Sequence, residues 1–241
     1  MDGFIDIHSH ILPKLDDGSE SMEQTIRMLK QAYSEGIRTI IATPHAHEGR
    51  SHRTITEMEE TLEQVKMEMK EAVPGMRLYL GSEIYYSHES VKKVNQKLIP
   101  TLADTKYVLV EFSPGVEYRN IKNGLQEFIL EGYNPIVAHV ERYYNITKNL
   151  ELVDEFIEMG AYIQVNATSI TGEVGKEYQG VAKKLLKNNS IHLIATDSHN
   201  DSNRSPKLKK CVELIAKKYG EDYVSELLIQ NAKKLLLNQY I

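Results

Sequence analysis

A parallel α/β fold is predicted by short apolar runs that alternate with longer amphipathic helical patterns along the 241 residues. Because each strand is followed by a helix, right-handed crossovers should join parallel strands. This arrangement favours an incomplete or distorted α/β barrel, and a doubly wound open sheet is the alternative. The predicted strands are 4–7, 39–42, 77–80, 107–110, 135–138, 162–165 and 192–195.

The helices are predicted from apolar residues at helical spacing and from their capping residues. Ser21 and Gln24 form a capping-box pattern, and Gly36 closes the helix that follows. A second apolar stripe begins at Ile55 and ends at the Pro-Gly pair 74–75. Similar patterns lie near 118–131, 148–159, 176–188 and 207–219, with a weaker one near 88–100.

Length and composition suit one globular domain over residues 1–241, because α/β barrels commonly fill about 250 residues. Hydrophobic residues make up 41% and charged residues 26% of the chain. The net charge of −5 and the pI of about 6.0 give no reason to expect nucleic-acid or anionic-membrane binding. An anionic substrate would therefore need local positive charge from metals or arginines.

The single cysteine, Cys211, excludes both a disulfide framework and a cysteine-rich zinc site. It lies in a helical pattern, where a small core residue is expected rather than a nucleophile. The N-terminus has neither the basic nor the apolar region of a signal peptide, and no segment approaches the ~18 apolar residues of a membrane span. We expect a cytoplasmic protein without membrane insertion.

Candidate metal ligands stand at the C-terminal ends of six of the seven predicted strands. Strand ends at one edge of a parallel sheet meet, and α/β barrels place their active sites there. Each residue alone has a structural explanation, but the repetition favours a shared site. The candidates are His8 and His10 after strand one, His45 after strand two, Glu83 after strand three, Glu111 ending strand four, His139 after strand five, and Asp197 with His199 after strand seven.

A loop with the sequence Asp16-Asp17-Gly18 follows the first strand and can bring one aspartate to this edge. Such a triplet is often only a turn with its glycine at positive φ. The ligand types are imidazole and carboxylate without sulfur, which suits Mn²⁺, iron, Zn²⁺ or Mg²⁺. Nine plausible ligands are too many for one ion, so the pattern predicts two or three.

Arg142 and Arg204 follow predicted ligands within a few residues, and a guanidinium group binds phosphate oxygens in pairs. The alternative for each is an ordinary surface arginine. Among the remaining histidines, His192 lies at the opposite end of its strand, whereas His52 and His88 lie in loops or helix starts. His47 is close to His45 and stays ambiguous.

These motifs, taken in order along the whole chain, resemble the polymerase-and-histidinol-phosphatase (PHP) superfamily. More narrowly they resemble the manganese-dependent protein-tyrosine phosphatases of bacterial capsule and exopolysaccharide gene clusters. The residues that carry the resemblance are 5–10, 15–18, 81–86, 99–102, 139–143 and 197–200. Many members have proline where this chain has Val140, which is not a ligand position.

The resemblance implies a distorted seven-stranded α/β barrel that holds three metal ions. His8, His10, Glu83 and Asp197 would bind the first ion, and Glu83, Glu111 and His139 the second. Asp17, His45 and His199 would bind the third. Arg142 and Arg204 would bind phosphate, and His199 or Asp197 could act as a weak general acid.

The reaction implied by the resemblance is hydrolysis of protein phosphotyrosine by an activated water, on the tyrosine-rich tail of a capsule-regulating tyrosine kinase. Metal motifs alone do not distinguish this from a histidinol-phosphate phosphatase or a nuclease-like phosphodiesterase. A metal-binding regulator without enzymatic activity is the other class to consider.

Overall fold

The computed structural model describes residues 3–47 and 53–241, which form an α/β fold with a curled parallel sheet. His52 lies outside the described residues, as do residues 1–2 at the N-terminus. The strands within the described ranges are β1 (Phe4–Ser9), β2 (Ile37–Ala42), β3 (His45–Ala46), β4 (Arg77–Leu80), β5 (Glu83–Tyr85), β6 (Tyr107–Glu111), β7 (Asn134–Val137), β8 (Tyr162–Asn166) and β9 (Leu193–Ala195).

Helices fill most of the connections between these strands. Short 3-10 turns occupy Leu102–Asp104 and Val140–Arg142, and one π-helical turn occupies Glu226–Gln230. The α-helices are α1 (Met22–Ser34), α2 (Ile55–Met69), α3 (His88–Asn95), α4 (Tyr118–Leu130), α5 (Tyr144–Thr147), α6 (Glu151–Glu158), α7 (Ala167–Thr171), α8 (Lys176–Lys187), α9 (Lys209–Tyr219), α10 (Glu221–Ser225) and α11 (Asn231–Leu236).

All seven predicted runs form strands, but two of them are interrupted and continue as separate strands. Thr43 and Pro44 separate β2 from β3, since proline cannot donate to a strand ladder. Gly81 and Ser82 separate β4 from β5. The described part of the chain therefore has nine strands, in a sheet β1-β2-β4 and a sheet β3-β5-β6-β7-β8-β9.

The two sheets are joined at both breaks, and their strand order follows the chain. The Gly81 amide donates to the Ala42 carbonyl at 2.8 Å, and the Glu83 amide donates to the Pro44 carbonyl at 3.2 Å. This continuous order differs from a doubly wound sheet, in which the order reverses at a switch point. At the other margin, Ser9 of β1 pairs with Ser198 just after β9, also in parallel.

Alternate strand residues enter two different buried clusters, so both faces of the sheet are covered. In β6, Val108 and Val110 belong to the larger cluster, whereas Tyr107 and Leu109 belong to the smaller one. Leu193 and Ala195 of β9 join the same smaller cluster. Because side chains alternate along a strand, the residue that continues this series in β6 is Glu111. This face of the strand therefore carries apolar residues in the core and a candidate site residue at its end.

Two local predictions are corrected by the structure. Ser21 accepts from the Gln24 amide as expected, but the Gln24 side chain accepts from the Glu20 amide instead of completing a capping box. Gly18 does not have positive φ. It is required for space, because a Cβ there would lie 2.2 Å from the His10 carbonyl oxygen. In the described ranges, no helix combines the length and apolar character needed to cross a membrane.

Candidate active site

The C-terminal ends of the strands surround a cleft of about 710 Å³. His8 and His10 lie fully buried beside it, since β1 runs under the cleft and its side chains alternate. The remaining nine predicted site residues all line its wall: Asp17, His45, Glu83, Glu111, His139, Arg142, Asp197, His199 and Arg204. The structure thus brings every predicted site residue to one place.

The first group of candidate ligands is centred on His8 of β1 and on His10 just after it. The His8 Nε2 and His10 Nε2 atoms are 3.2 Å apart, and each is 3.3 Å from Glu83 Oε2. Asp197 Oδ1 is 3.5 Å from His8 Nε2 and 3.6 Å from His10 Nε2. Two ligands about 2.1 Å from one ion are separated by about 3.0–3.4 Å, so this spacing suits a shared cation.

Glu83 connects this group to a second one. Its Oε1 lies 2.8 Å from His139 Nε2, and its Oε2 lies 3.0 Å from His45 Nδ1. Glu111 faces the same two histidines from β6, at 3.7 Å from each. A carboxylate placed between four imidazoles is positioned to bridge cations.

The third group resolves which aspartate of the Asp16-Asp17 pair reaches the site. Asp17 Oδ1 lies 3.3 Å from His45 Nε2 and 3.6 Å from His199 Nε2. His10 also belongs to this group, and its ring stacks on that of His199 at 3.8 Å. Asp16 accepts a hydrogen bond from His10 Nδ1 at 2.7 Å and so orients that ring.

The charges in the site are strongly coupled. Burial alone would lower the pKa of His10, but the Asp16 carboxylate raises that pKa to about 9. Burial similarly opposes the charge of His45, yet Asp17 and Glu83 raise its pKa to about 11. Burial would raise the pKa of Glu83, but the surrounding imidazoles hold that pKa well below its usual value. Without metal, the carboxylates therefore hold protons on these histidines.

The hydrogen bonds of three histidines fit metal ligation through Nε2. The Nδ1–H groups of His8, His10 and His199 donate to oxygen acceptors at 3.2, 2.7 and 3.0 Å respectively. A donated Nδ1–H leaves the Nε2 lone pair facing the cluster, which is the arrangement seen around protein-bound metals. The buried His199 Nε2 atom has no hydrogen-bond partner among the described residues. The donor set thus fits divalent cations.

The two predicted phosphate-binding arginines both contact Asp197. Arg142 Nη2 lies 3.1 Å from Asp197 Oδ2, and Arg204 Nη2 lies 3.2 Å from Asp197 Oδ1. Their side chains remain partly exposed toward the cleft. Burial opposes the charge of Asp197, but His8 and Arg142 keep its pKa far below the ordinary value. As an ionised acceptor, Asp197 suits holding the arginines better than donating a proton.

Comparison with known proteins shows which family this chain belongs to. A family described as capsular polysaccharide synthesis, CpsB/CapC, matches residues 4–237. This chain belongs to the CpsB/CapC family. It is 36% identical to the tyrosine-protein phosphatase CpsB of Streptococcus pneumoniae, over 98% of this chain and 100% of that protein. It is 34% identical to the tyrosine-protein phosphatase YwqE of Bacillus subtilis, over 98% of this chain and 93% of that protein.

Solved structures place this CpsB/CapC member in the same architecture. One solved chain, from the crystal structures of B. subtilis YwqE and S. pneumoniae CpsB, superposes on this chain with a TM-score of 0.91 at 34% identity. Those two proteins are described as unique metal-dependent tyrosine phosphatases. The match covers 98% of this chain and 96% of that chain. A histidinol phosphate phosphatase from Lactococcus lactis superposes with a TM-score of 0.60 at 15% identity, which shows a related fold alone.

Strand β8, the one run without a predicted ligand, supplies polar residues that sequence reasoning missed. Gln164 Oε1 accepts from His8 Nδ1 at 3.2 Å and from the His139 amide at 2.9 Å. Asn166 Nδ2 donates to Asp197 Oδ2 at 2.9 Å. Gln164 and Asn166 stand at alternate positions after Tyr162 of the same strand. This alternation was the sequence signal that the two amide side chains lie on one face of the strand. Their side chains are hydrogen-bonded to candidate ligands and so orient them.

Two candidate ligands are among the non-glycine residues with a strained, left-handed backbone. His139 and Asp197 have positive φ angles of 32° and 51°. Residues other than glycine rarely adopt this region, and doing so costs about 1–3 kcal/mol. Both follow the ends of β7 and β9, where the chain turns away from the sheet. The turn aims these side chains at the cluster.

Three histidines and the cysteine were not predicted as ligands, and each has other contacts. His192 lies just before β9, and its Nδ1 accepts from the Ile163 amide at 3.1 Å, so it extends a strand pairing. His88 is exposed and pairs with Glu127 at 2.6 Å. His47 lines the cleft and contacts the Tyr85 ring at 4.3 Å. Cys211 is buried in α9, and burial raises the pKa of its thiol, as expected for a core residue.

Proposed function

We propose that this protein is a metal-dependent protein-tyrosine phosphatase that serves capsule or exopolysaccharide synthesis. The observation that carries the proposal is the buried imidazole–carboxylate cluster with two arginines at its rim, in a chain of the CpsB/CapC family. Relatives named tyrosine-protein phosphatase match over nearly the whole chain. The substrate is a phosphotyrosine protein, and the proposed partner is a tyrosine kinase of polysaccharide synthesis.

The proposed ligands follow the three groups of side chains described above. His8, His10, Glu83 and Asp197 hold one cation, whereas Glu83, Glu111 and His139 hold a second. Asp17, His45 and His199 hold a third, with His10 at the boundary. Manganese is the proposed metal because the sequence resembles manganese-dependent phosphatases, and a nitrogen and oxygen ligand set without sulfur admits it, as it admits iron, Zn²⁺ or Mg²⁺. When bound, such cations supply positive charge to a phosphoryl oxygen and lower the pKa of a water molecule.

The protein's own side chains bind and orient the phosphate. Arg142 and Arg204 are fixed by the same Asp197 carboxylate, so their guanidinium groups lie on one side of the cluster. Guanidinium groups there can stabilise charge that develops on phosphoryl oxygens. The leaving phenolate has a conjugate acid with a pKa near 10, about the ordinary tyrosine value, so it requires little protonation. Of the two residues predicted for proton transfer, His199 stays the candidate, because Asp197 is held ionised by His8 and Arg142.

The wall of the cleft also suits an aromatic substrate. Tyr85, Phe112 and Pro114 line it beside the polar cluster. These groups offer apolar contact to a phenyl ring, while the arginines and cluster lie where the phosphate would be. A cleft of about 710 Å³ is large enough to admit a side chain that projects from a peptide.

We also infer that residues 1–241 form one PHP-type domain in which the seven strand positions make a distorted barrel. The Ser9–Ser198 pairing supports closure, because the His10 amide donates to the Ser198 carbonyl at 2.8 Å. The Asp197 amide donates to the His8 carbonyl at 2.9 Å across the same margin. A cytoplasmic location is proposed from the single buried thiol of Cys211.

The test compares four substrates with purified protein that has been stripped of metal and reloaded with Mn²⁺, Zn²⁺ or Mg²⁺. We expect hydrolysis of p-nitrophenyl phosphate and of a phosphotyrosine peptide, greatest with Mn²⁺ and absent with chelator. Preferential hydrolysis of histidinol phosphate or of a short DNA would move the protein to another activity on this scaffold. Stoichiometric metal binding without turnover of any substrate would make it a binding protein.

A further inference from the structure

A second concavity, of about 320 Å³, opens directly beside the candidate active site. Tyr85, Phe112 and Ser113 line both hollows, so they form a shared wall. The far side of the second concavity is the first turns of α4, where Asn120 and Asn123 face it. The two hollows are therefore adjacent, and a peptide with one side chain in the cleft can place a neighbouring residue over the other.

The floor of this concavity is aromatic and rigid. Phe112 is buried, with its ring 5.4 Å from the Tyr86 ring and 6.0 Å from the Tyr143 ring. Tyr86 in turn lies flat against α4 at Gly124, where a Cβ would meet its ring at 2.9 Å. Glycine at this position lets the helix approach closely and fixes the Tyr86 ring. A preformed aromatic surface binds apolar or aromatic groups with little ordering cost.

The walls are uncharged but able to hydrogen-bond. Asn120 and Asn123 are exposed, and their side-chain amides make no hydrogen bond within the described residues. No lysine, arginine or carboxylate lines the hollow in the described ranges, and His88 at its edge is paired with Glu127 at 2.6 Å. A second phosphate is thus not the expected occupant. Free amides beside an aromatic floor suit a peptide backbone with an uncharged side chain.

We propose that this concavity is a subsite for the substrate peptide, and that it binds an aromatic or aliphatic residue next to the phosphotyrosine. The proposal rests on the proposed phosphatase function and deepens it. The phosphotyrosine occupies the metal-containing cleft, and the neighbouring residue packs on Phe112 and Tyr86. Asn120 and Asn123 hydrogen-bond the peptide backbone. Selection of peptides then depends on α4, a helix that contributes nothing to the metal cluster.

The experiment compares p-nitrophenyl phosphate, which fills only the cleft, with two phosphotyrosine peptides that carry either aromatic or alanine neighbours. Wild-type protein should have a lower KM for the peptide with aromatic neighbours. In the double variant Asn120→Ala/Asn123→Ala, the KM for that peptide should rise about tenfold, since two net hydrogen bonds are lost. Values of kcat/KM for p-nitrophenyl phosphate should stay at the wild-type level.

Blocking the hollow gives a second measurement. Asn123→Arg places a long charged side chain over the aromatic floor and should abolish the preference for aromatic neighbours. Gln126→Arg, which is exposed on the same helix but does not line the hollow, is the matched control. An unchanged peptide preference in Asn123→Arg, or equal losses on peptide and p-nitrophenyl phosphate, would overturn the subsite. Wild-type protein that leaves every phosphotyrosine peptide intact would instead overturn the phosphatase function on which the subsite rests.

Discussion

Asn166 donates a hydrogen bond from Nδ2 to Asp197 Oδ2 at 2.9 Å, and both side chains are buried. Asn166 is itself held from two sides. Its Oδ1 accepts from Gln164 Nε2 at 2.7 Å, and its amide donates to Glu141 Oε1 at 3.0 Å. A carboxylate that contacts both arginines and three histidines is thus oriented by an amide whose own position is fixed.

We expect Asn166→Leu to weaken metal binding more than it weakens the fold. The substitution removes one of two donors to Asp197 Oδ2, the other being Arg142, and leaves the buried Gln164 Nε2 without its acceptor. Loss of such a supporting contact typically costs about 10–100-fold in metal affinity or activity. Calorimetric titration with Mn²⁺ measures the affinity. Asn231→Leu is the control, because Asn231 is equally buried but bonds the His192 carbonyl, remote from the cluster. Equal metal affinity in both variants would remove this role.

The sequence predicted that the candidate ligands converge because they stand at strand ends, where position alone implies convergence. Runs such as 107–110 and 135–138 were visible as continuous apolar segments, and their C-terminal ends indicated the edge of the sheet. Glu111 and Asp197 needed no knowledge of distant partners to be placed there. Local pattern and shared topology were sufficient for that part of the site.

What the sequence did not reveal depends on contacts between distant residues. Gln164 has the same pattern as any polar residue in a strand, and its role follows only from its bond to His8, 156 positions away. The breaks at Pro44 and Gly81 required knowledge of which strands are neighbours. Asp16 and Asp17 are adjacent and chemically identical, so only the path of the loop decides which one faces His199.

Arg142→Ala and Arg204→Ala are expected to reduce phosphatase turnover while leaving the metal content intact. Each variant loses a positively charged side chain that would face the phosphate. Loss of such a contact commonly lowers kcat by about 10²–10³-fold. Since both arginines also hold Asp197, metal content must be measured on the same samples by elemental analysis. Arg119→Ala, on the exposed side of α4, serves as the surface control. Wild-type turnover in both variants would reduce these residues to surface arginines, and joint loss of metal and activity would make their role structural.

Metal binding is expected to release protons at neutral pH. In the metal-free site, Asp16 and Asp17 help to raise the pKa values of His10 and His45 to about 9 and about 11. Both imidazoles are then protonated at pH 7.5, and a cation must displace those protons to use the same nitrogen atoms. Titration with Mn²⁺ in two buffers of different ionisation enthalpy counts the protons. His45→Gln should release about one fewer. Binding at full stoichiometry with no proton release would contradict this charge state.

The clearest pH-dependent contribution to stability should come from His192, away from the metal cluster. Its Nδ1 accepts from the Ile163 amide, so the folded protein requires the neutral ring, and burial lowers its pKa to about 4 from 6.5. Between these values the unfolded chain binds a proton that the folded chain does not. The free energy of unfolding therefore falls as the pH decreases from 6.5 toward 4, and the contribution is fully present above 6.5.

His192→Asn isolates this effect, because the Asn Oδ1 atom can accept from the Ile163 amide without titrating. Urea unfolding in excess chelator at pH 7.5 and pH 5 gives the two stabilities for each protein. Wild type should lose up to about 2 kcal/mol more than the variant between these pH values. Because all other groups titrate in both proteins, the difference reports His192 alone. Parallel pH profiles of the unfolding free energy in the two proteins would show that His192 is already protonated in the folded state.

The activity of His192→Asn gives a second test, on the position of this residue relative to the cluster. The variant should retain full metal-dependent activity, whereas Glu83→Ala, at the centre of the cluster, should lose it.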